Sequence, residues 1–178
     1  MIEAKTVSST IVRMSELMTP NDANFLGKVF GGAILSHLDH CAYVTASRFA
    51  GHVCVTASFD RVDFHSPIDV GELVHMEGRV EFAGRTSVQT RIEVYAENIR
   101  AGTTRHTNSC VVTMVAIDEA GNPAPVPRLI AETREERIGL LVGRLRRSRV
   151  RDDARQSMRQ QYEDLPDDEL VRLVELEQ

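Results

Sequence analysis

Between Gly32 and Phe49 the apolar residues recur with helical spacing. At about 100° per residue, Ile34, Leu35, Leu38, Cys41, Ala42, Thr45, Ala46 and Phe49 gather on one face, and Ser36, His40, Tyr43 and Ser47 on the other. The pattern predicts a helix over 32–49, with Asp39 on the border between the faces. Downstream the period changes. Segments near 53–65, 72–82, 87–99 and 104–118 are rich in Val, Ile, Thr and Phe, and Pro67, Gly71, Gly84 and Gly102 interrupt them. These read as strands joined by short hairpin connections, and residues 6–14 supply an earlier strand. The patterning alone supports an α+β domain with one long helix against an antiparallel sheet; no internal repeat is evident.

After the proline-rich run 123–127 the composition shifts. Residues 134–159 carry a dense arginine series, and the stretch from Glu163 to Glu177 is strongly acidic. Leu140, Leu141 and Leu145, and later Leu170, Leu173 and Val174, keep helical spacing, which predicts one or two amphipathic helices in a charged tail. The division expected is a domain over 6–133 and a helical tail over 134–178. The tail holds no interleaved aromatics for base stacking, so no nucleic-acid partner is expected; opposite-charge pairing between its halves is the simpler reading.

Composition narrows the class. The 178 residues, 42% of them hydrophobic, suffice to bury one domain core. No apolar run approaches the roughly 20 residues of a membrane span, and residues 1–18 lack the continuous apolar stretch of a signal peptide, so a cytoplasmic protein is expected. Cys41, Cys54 and Cys110 are odd in number and widely spaced, which argues against a disulfide framework and a structural zinc site. His37 and His40 share a helix face from which Asp39 diverges, so no metal is expected. Ser36 lacks a nucleophile-elbow context, and Cys41 faces the apolar side.

Candidate chemistry concentrates at 20–39. Pro20, Asn21 and Asp22 open an irregular segment, Gly31-Gly32 stands at the helix mouth, and Asp39 follows about two turns in. Glycines at a helix start let free amides approach a ligand and stabilise an oxyanion, and a carboxylate on the border of an apolar face suits a general base. A base and an oxyanion hole are enough when the leaving group is a thiol, whose ordinary pKa is about 8.5. Asn24 adds an amide able to hold water or polarise a carbonyl. Against this stand two plainer readings: a boundary aspartate on an amphipathic helix, and a turn asparagine bonding its own backbone.

The pattern Pro20-x-Asp22-x-Asn24-x-x-Gly27-x-Val29-Phe30-Gly31-Gly32, followed by Asp39, resembles the hotdog-fold acyl-CoA thioesterases of the cytosolic acyl-CoA hydrolase family. The blocks 55–68, 84–87, 96–98, 105–108 and 115–118 are similar to that family in the same order, so the resemblance runs from about Thr6 to Thr133. It implies a sheet wrapped around the helix and hydrolysis of acyl-CoA to a fatty acid and coenzyme A, without a cofactor because coenzyme A belongs to the substrate. By the same resemblance Asp39 is the base, or else the nucleophile, while Asn24 positions water or the carbonyl beside the amides of Gly31 and Gly32. It further implies a site shared between subunits of a dimer, with dimers assembling to a homohexamer, and a coenzyme A contact at Gly84, Arg85, Thr86 and Ser87. Arg61, Arg85, Arg105 and the tail arginines are candidates for a positive patch at the cleft. The alternatives are another hotdog enzyme acting on CoA esters, such as a hydratase, and a non-catalytic CoA-binding protein.

Overall fold

A computed structural model describes residues 3–60, 62–153 and 166. The elements are β1 (Lys5–Thr6), β2 (Val12–Leu17), α1 (Gly31–Ala50), β3 (Val53–Phe59), β4 (Leu73–Ala83), β5 (Ser87–Asn98), β6 (Thr103–Ile117), β7 (Leu129–Ile130) and α2 (Arg134–Asp153), with 3-10 turns at Ser8–Thr10 and Pro20–Asp22. Five strands form one antiparallel sheet in the order β2-β4-β5-β6-β3. The sheet curls around α1, so the long central helix and the hotdog arrangement are both present.

Helix and sheet meet over the apolar stripe of α1. Ile34, Leu38, Cys41, Ala42, Thr45, Ala46, Phe49 and Ala50 are buried against the alternate residues Val74, Met76 and Val80 of β4, Val88, Ile92 and Val94 of β5, and Cys110, Val112 and Met114 of β6. Gly78 makes the closest approach possible: a β-carbon there would lie 2.5 Å from Thr45 Oγ1 and 3.0 Å from Cys41 Sγ. Leu35 departs from the predicted face, being 37% exposed, because it lies on the edge of the stripe toward the helix start. Gly51, with φ 72°, ends the helix in the left-handed conformation.

Two predicted strands are corrected. The strand expected over 6–14 is split, since Ser9 Oγ donates to the carbonyl of Thr6 and Thr10 Oγ1 to that of Val7, turning the backbone. Thr6 therefore pairs in parallel with β7, and the sheet strand starts only at Val12. The strand expected over 53–65 ends at Phe59, and the segment before Pro67 is irregular, anchored by the His65 amide on the Thr107 carbonyl.

The chain forms two compact units, residues 1–140 and 141–178. The first holds both sheets, α1 and the opening turns of α2. In the tail, α2 confirms a helix from Arg134 to Asp153, whereas Arg155, Arg159 and the acidic stretch with Leu170, Leu173 and Val174 lie outside the described residues. Among the described residues no helix is long and apolar enough to cross a membrane.

Candidate active site

The segment before α1 is a tightly bonded loop. Asp22 accepts from the backbone and hydroxyl of Thr19, both at 2.7 Å, and these bonds hold its carboxyl below the usual range. Asn24 Oδ1 accepts from the amides of Leu26 at 2.9 Å and Lys28 at 3.2 Å. This is the turn role open to any loop asparagine, and it has a chemical consequence. With the oxygen engaged by the loop, the Nδ2 amide has no partner among the described residues, and what Asn24 can still offer is a donor. Gly27, at φ 75°, completes the turn. The loop is fastened to the segment after β3 by the Val29 amide on the Ile68 carbonyl at 2.9 Å and by Lys28 with Asp69 at 2.5 Å.

Gly31 and Gly32 are the first residues of α1, where amides lack an intrahelical acceptor. Among the described residues neither amide has a partner, so both remain available for an oxyanion. Their side-chain space differs. A β-carbon on Gly31 would touch only the Phe64 ring, at 3.7 Å, whereas one on Gly32 would lie 2.2 Å from Phe30 Cε1. Gly31 also opens onto a cleft of about 340 Å³ between the helix start and the 64–68 segment, walled by Val29, Ile34, Phe64 and Ile68.

Asp39 is half-buried two turns further along α1, and its Oδ1 accepts from Thr56 Oγ1 of β3 at 2.5 Å. Thr56 sits at a bulge in the edge strand of the sheet. The structure thus adds Thr56, which lies within the 55–68 block, to the candidate site. Its signal is tertiary: nothing in the local pattern distinguishes this hydroxyl from those of Ser58 or Thr45.

The turn Gly84–Ser87 joins β4 to β5. Its backbone is tied down by Gly84 N to Ser87 O, Ala116 N to Thr86 O and Val126 N to Arg85 O, and Arg85 is exposed, its guanidinium without a partner among the described residues. Val88, Met114 and Thr56 lie in one row across β5, β6 and β3. Two strand spacings, roughly 10 Å, therefore separate the end of this turn from the Asp39–Thr56 pair, within reach of an extended ligand.

A single chain leaves these parts apart. Gly31 and Asp39 are eight residues apart on one helix, about 12 Å at 1.5 Å per residue, so a carbonyl on the Gly31 amide lies far from the Asp39 carboxylate of the same chain. Arg105 is not free to form a positive patch: its guanidinium forks onto Glu72 at 2.6 Å through both nitrogens and also donates to the Pro67 carbonyl. It braces the loop that walls the cleft. Arg61 lies outside the described residues. The thiols offer no nucleophile, since burial pushes Cys41 up to about 11 and Cys110 to about 12. His37 and His40 meet edge to face at 6.4 Å, and among the described residues no group of three His, Cys, Asp or Glu side chains could hold a metal.

Known proteins resemble this chain in sequence and in fold. The pattern of the thioesterase superfamily matches residues 26–103. The Bacillus subtilis protein YkhA, described as an uncharacterized acyl-CoA thioester hydrolase, is 36% identical over 128 residues, which cover 72% of this chain and 74% of that one. A hexameric acyl-CoA thioesterase solved in its apo form superposes with a TM-score of 0.80 at 36% identity, over 86% of this chain and 98% of its own. An acyl-CoA hydrolase from Staphylococcus aureus, solved with butyryl coenzyme A and coenzyme A, gives 0.77 at 27% identity, over 88% and 97%. Alanine variants of that hydrolase at one asparagine, one aspartate and one threonine have also been solved, and the three stand at the same spacing along their chain as Asn24, Asp39 and Thr56 do here.

Proposed function

This chain belongs to the thioesterase superfamily, and on that premise we propose that it hydrolyses acyl-CoA thioesters to a carboxylic acid and coenzyme A. The observation that carries the reading is the pairing of a half-buried carboxylate, Asp39, with the Thr56 hydroxyl, which fixes one carboxylate oxygen and leaves the other for a water. Asp39 acts as the base. It takes a proton from that water as the oxygen bonds to the thioester carbon, and the carbonyl electrons move onto an oxygen held by helix-start amides and the Asn24 Nδ2. Collapse of that adduct breaks the carbon–sulfur bond, and the thiolate leaves and takes up a proton.

Because Gly31 and Asp39 of one chain are about 12 Å apart along α1, the working site combines Asn24, Gly31 and Gly32 of one copy with Asp39 and Thr56 of a second. The exposed Phe25 and Leu26 beside Asn24, and the exposed edge strand bearing Val53 and Val55, offer apolar and backbone surface for that pairing. A homo-oligomer is therefore part of the mechanism, in keeping with the hexameric relative. Arg85, in its turn near Asp39, contacts the coenzyme A phosphates together with Gly84, Thr86 and Ser87. Coenzyme A is substrate here, and the chemistry requires no other cofactor.

The test is thiol release from acyl-CoA esters from acetyl to palmitoyl, by the wild type and by Asp39→Ala and Asn24→Ala variants with intact assembly. Release that falls at least about a hundredfold in Asp39→Ala agrees with loss of a general base. No release across the series, or release unaffected by either variant, overturns the proposal.

A further inference from the structure

We infer that the cleft at the start of α1 receives the acyl chain, and that Ile34 and Phe64 set the chain length it accepts. This rests on the hydrolase reading, and it names the part of the substrate that the cleft takes. Gly31 belongs to both features: its amide has no partner among the described residues at the helix start, and the residue lines the cleft beside the Phe64 ring. A carbonyl oxygen on that amide directs its acyl substituent into the space alongside.

The walls combine the apolar Val29, Ile34, Phe64 and Ile68 with the polar His65 and Ser66. Val29, Ile34 and Ile68 are 9%, 2% and 4% exposed, and the bond from Val29 to Ile68 and the Lys28–Asp69 pair hold the two sides together. Phe64, half exposed, stands as the outer wall with its ring facing Gly31. The Glu72–Arg105 fork, which also grips the Pro67 carbonyl, keeps the 64–68 segment in place. At roughly 30 Å³ for a methylene-sized group, taken as the volume of one water, the cleft of about 340 Å³ has room for about ten carbons. Short and medium chains fit inside, and longer ones project into solvent. Each methylene that enters tightens binding by about fourfold, the fold-change equivalent of burying one such group, until the cleft is full.

Binding separates this from the chemistry. Acetyl-, butyryl-, octanoyl-, decanoyl- and palmitoyl-CoA are titrated calorimetrically into Asp39→Ala protein, then into the same protein carrying Ile34→Phe or, at the half-exposed position, Phe64→Ala. The expected result is affinity that rises with length and levels off near ten carbons. Both added substitutions then weaken octanoyl- and decanoyl-CoA about tenfold while acetyl-CoA stays within about twofold. Affinity indifferent to chain length, or weakened equally for all esters by both substitutions, overturns the inference. If thiol release by the wild type is robust while the titrations show no length dependence, the cleft assignment fails and the hydrolase reading stands. If the length dependence is present but the wild type releases no thiol, the cleft assignment stands as an acyl site and the hydrolase reading fails.

Discussion

Thr56 of the edge strand donates its hydroxyl hydrogen to Asp39 of the central helix at 2.5 Å, so the candidate base is oriented from a different element than the one that carries it. The same hydroxyl lies 3.4 Å from Met114 Sδ, a much weaker acceptor than a carboxylate. A hydrogen bond to a charged group contributes about 1.5–3 kcal/mol. Thr56→Val is therefore expected to lower kcat by about 10- to 100-fold with KM nearly unchanged, and Thr56→Ser to recover most of it. Because Thr56 is exposed, the melting temperature should barely move. A Thr56→Val protein with normal kcat would show that Asp39 needs no such positioning.

One substitution separates the loop bonds of Asn24 from the donor role proposed for it. Its oxygen caps the loop, through Leu26 and Lys28, and its nitrogen is the proposed donor to substrate. Asn24→Asp keeps the acceptor and removes the donor, so kcat/KM should drop about a hundredfold with the loop intact, whereas Asn24→Ala should also lower the melting temperature. Mixing inactive Asn24→Ala and Asp39→Ala proteins after reversible dissociation tests the shared site. With random reassortment of two-fold pairs, about a quarter of the wild-type activity should return. No recovery, with mixed assemblies confirmed by mass, would place Asn24 and Asp39 of the same chain in one site.

How far these parts were legible in the sequence depended on range. The helix over α1 and the strands β4, β5 and β6 follow from local apolar periodicity, and the structure reproduces them within a residue or two. The split of 6–14 was hidden because Ser and Thr suit strands and hydroxyl-closed turns alike. Asn24, Gly31, Gly32 and Asp39 stood out through their order along the chain. Thr56 and the true occupation of Arg105 did not, since each is defined by a partner 17 or 33 residues away. Charge counting marks Arg105 as available; only the fold shows that Glu72 holds it.

The three cysteines give a check on burial. Cys41, Cys54 and Cys110 are all reduced and buried, and desolvation raises each thiol, Cys41 to about 11 and Cys110 to about 12. Thiolate is the reactive form. Native protein at pH 8 should therefore release almost no chromophore from a disulfide reagent over minutes, and unfolded protein should titrate all three thiols. Rapid labelling of one thiol in the native state would show that the α1–sheet core opens locally.

Glu72 and Arg105 make stability depend on acid. The hydrogen bonds from Arg105 lower the Glu72 carboxyl below its ordinary 4.5, against the opposing effect of burial and with help from the Asp69 amide. A carboxyl depressed in the folded state contributes stability that is complete above its unfolded value and disappears as pH falls through the lower folded value. Glu72→Gln keeps the shape and removes the charge, so its melting temperature should lie a few degrees below wild type near pH 7. The gap should begin to narrow below about pH 4.5, the unfolded range of a glutamate, and close at lower pH. Arg105 stays protonated throughout, because the same fork raises its own value. The effect is kept modest by solvent, which reaches the arginine side of the pair. Since the fork also holds the Pro67 carbonyl, Glu72→Gln should loosen the 64–68 segment, measurable as faster amide exchange at His65. A temperature gap that stays constant down to pH 3 would show that the pair acts through shape and not charge, and exchange at His65 unchanged from wild type would show that the segment is held without it.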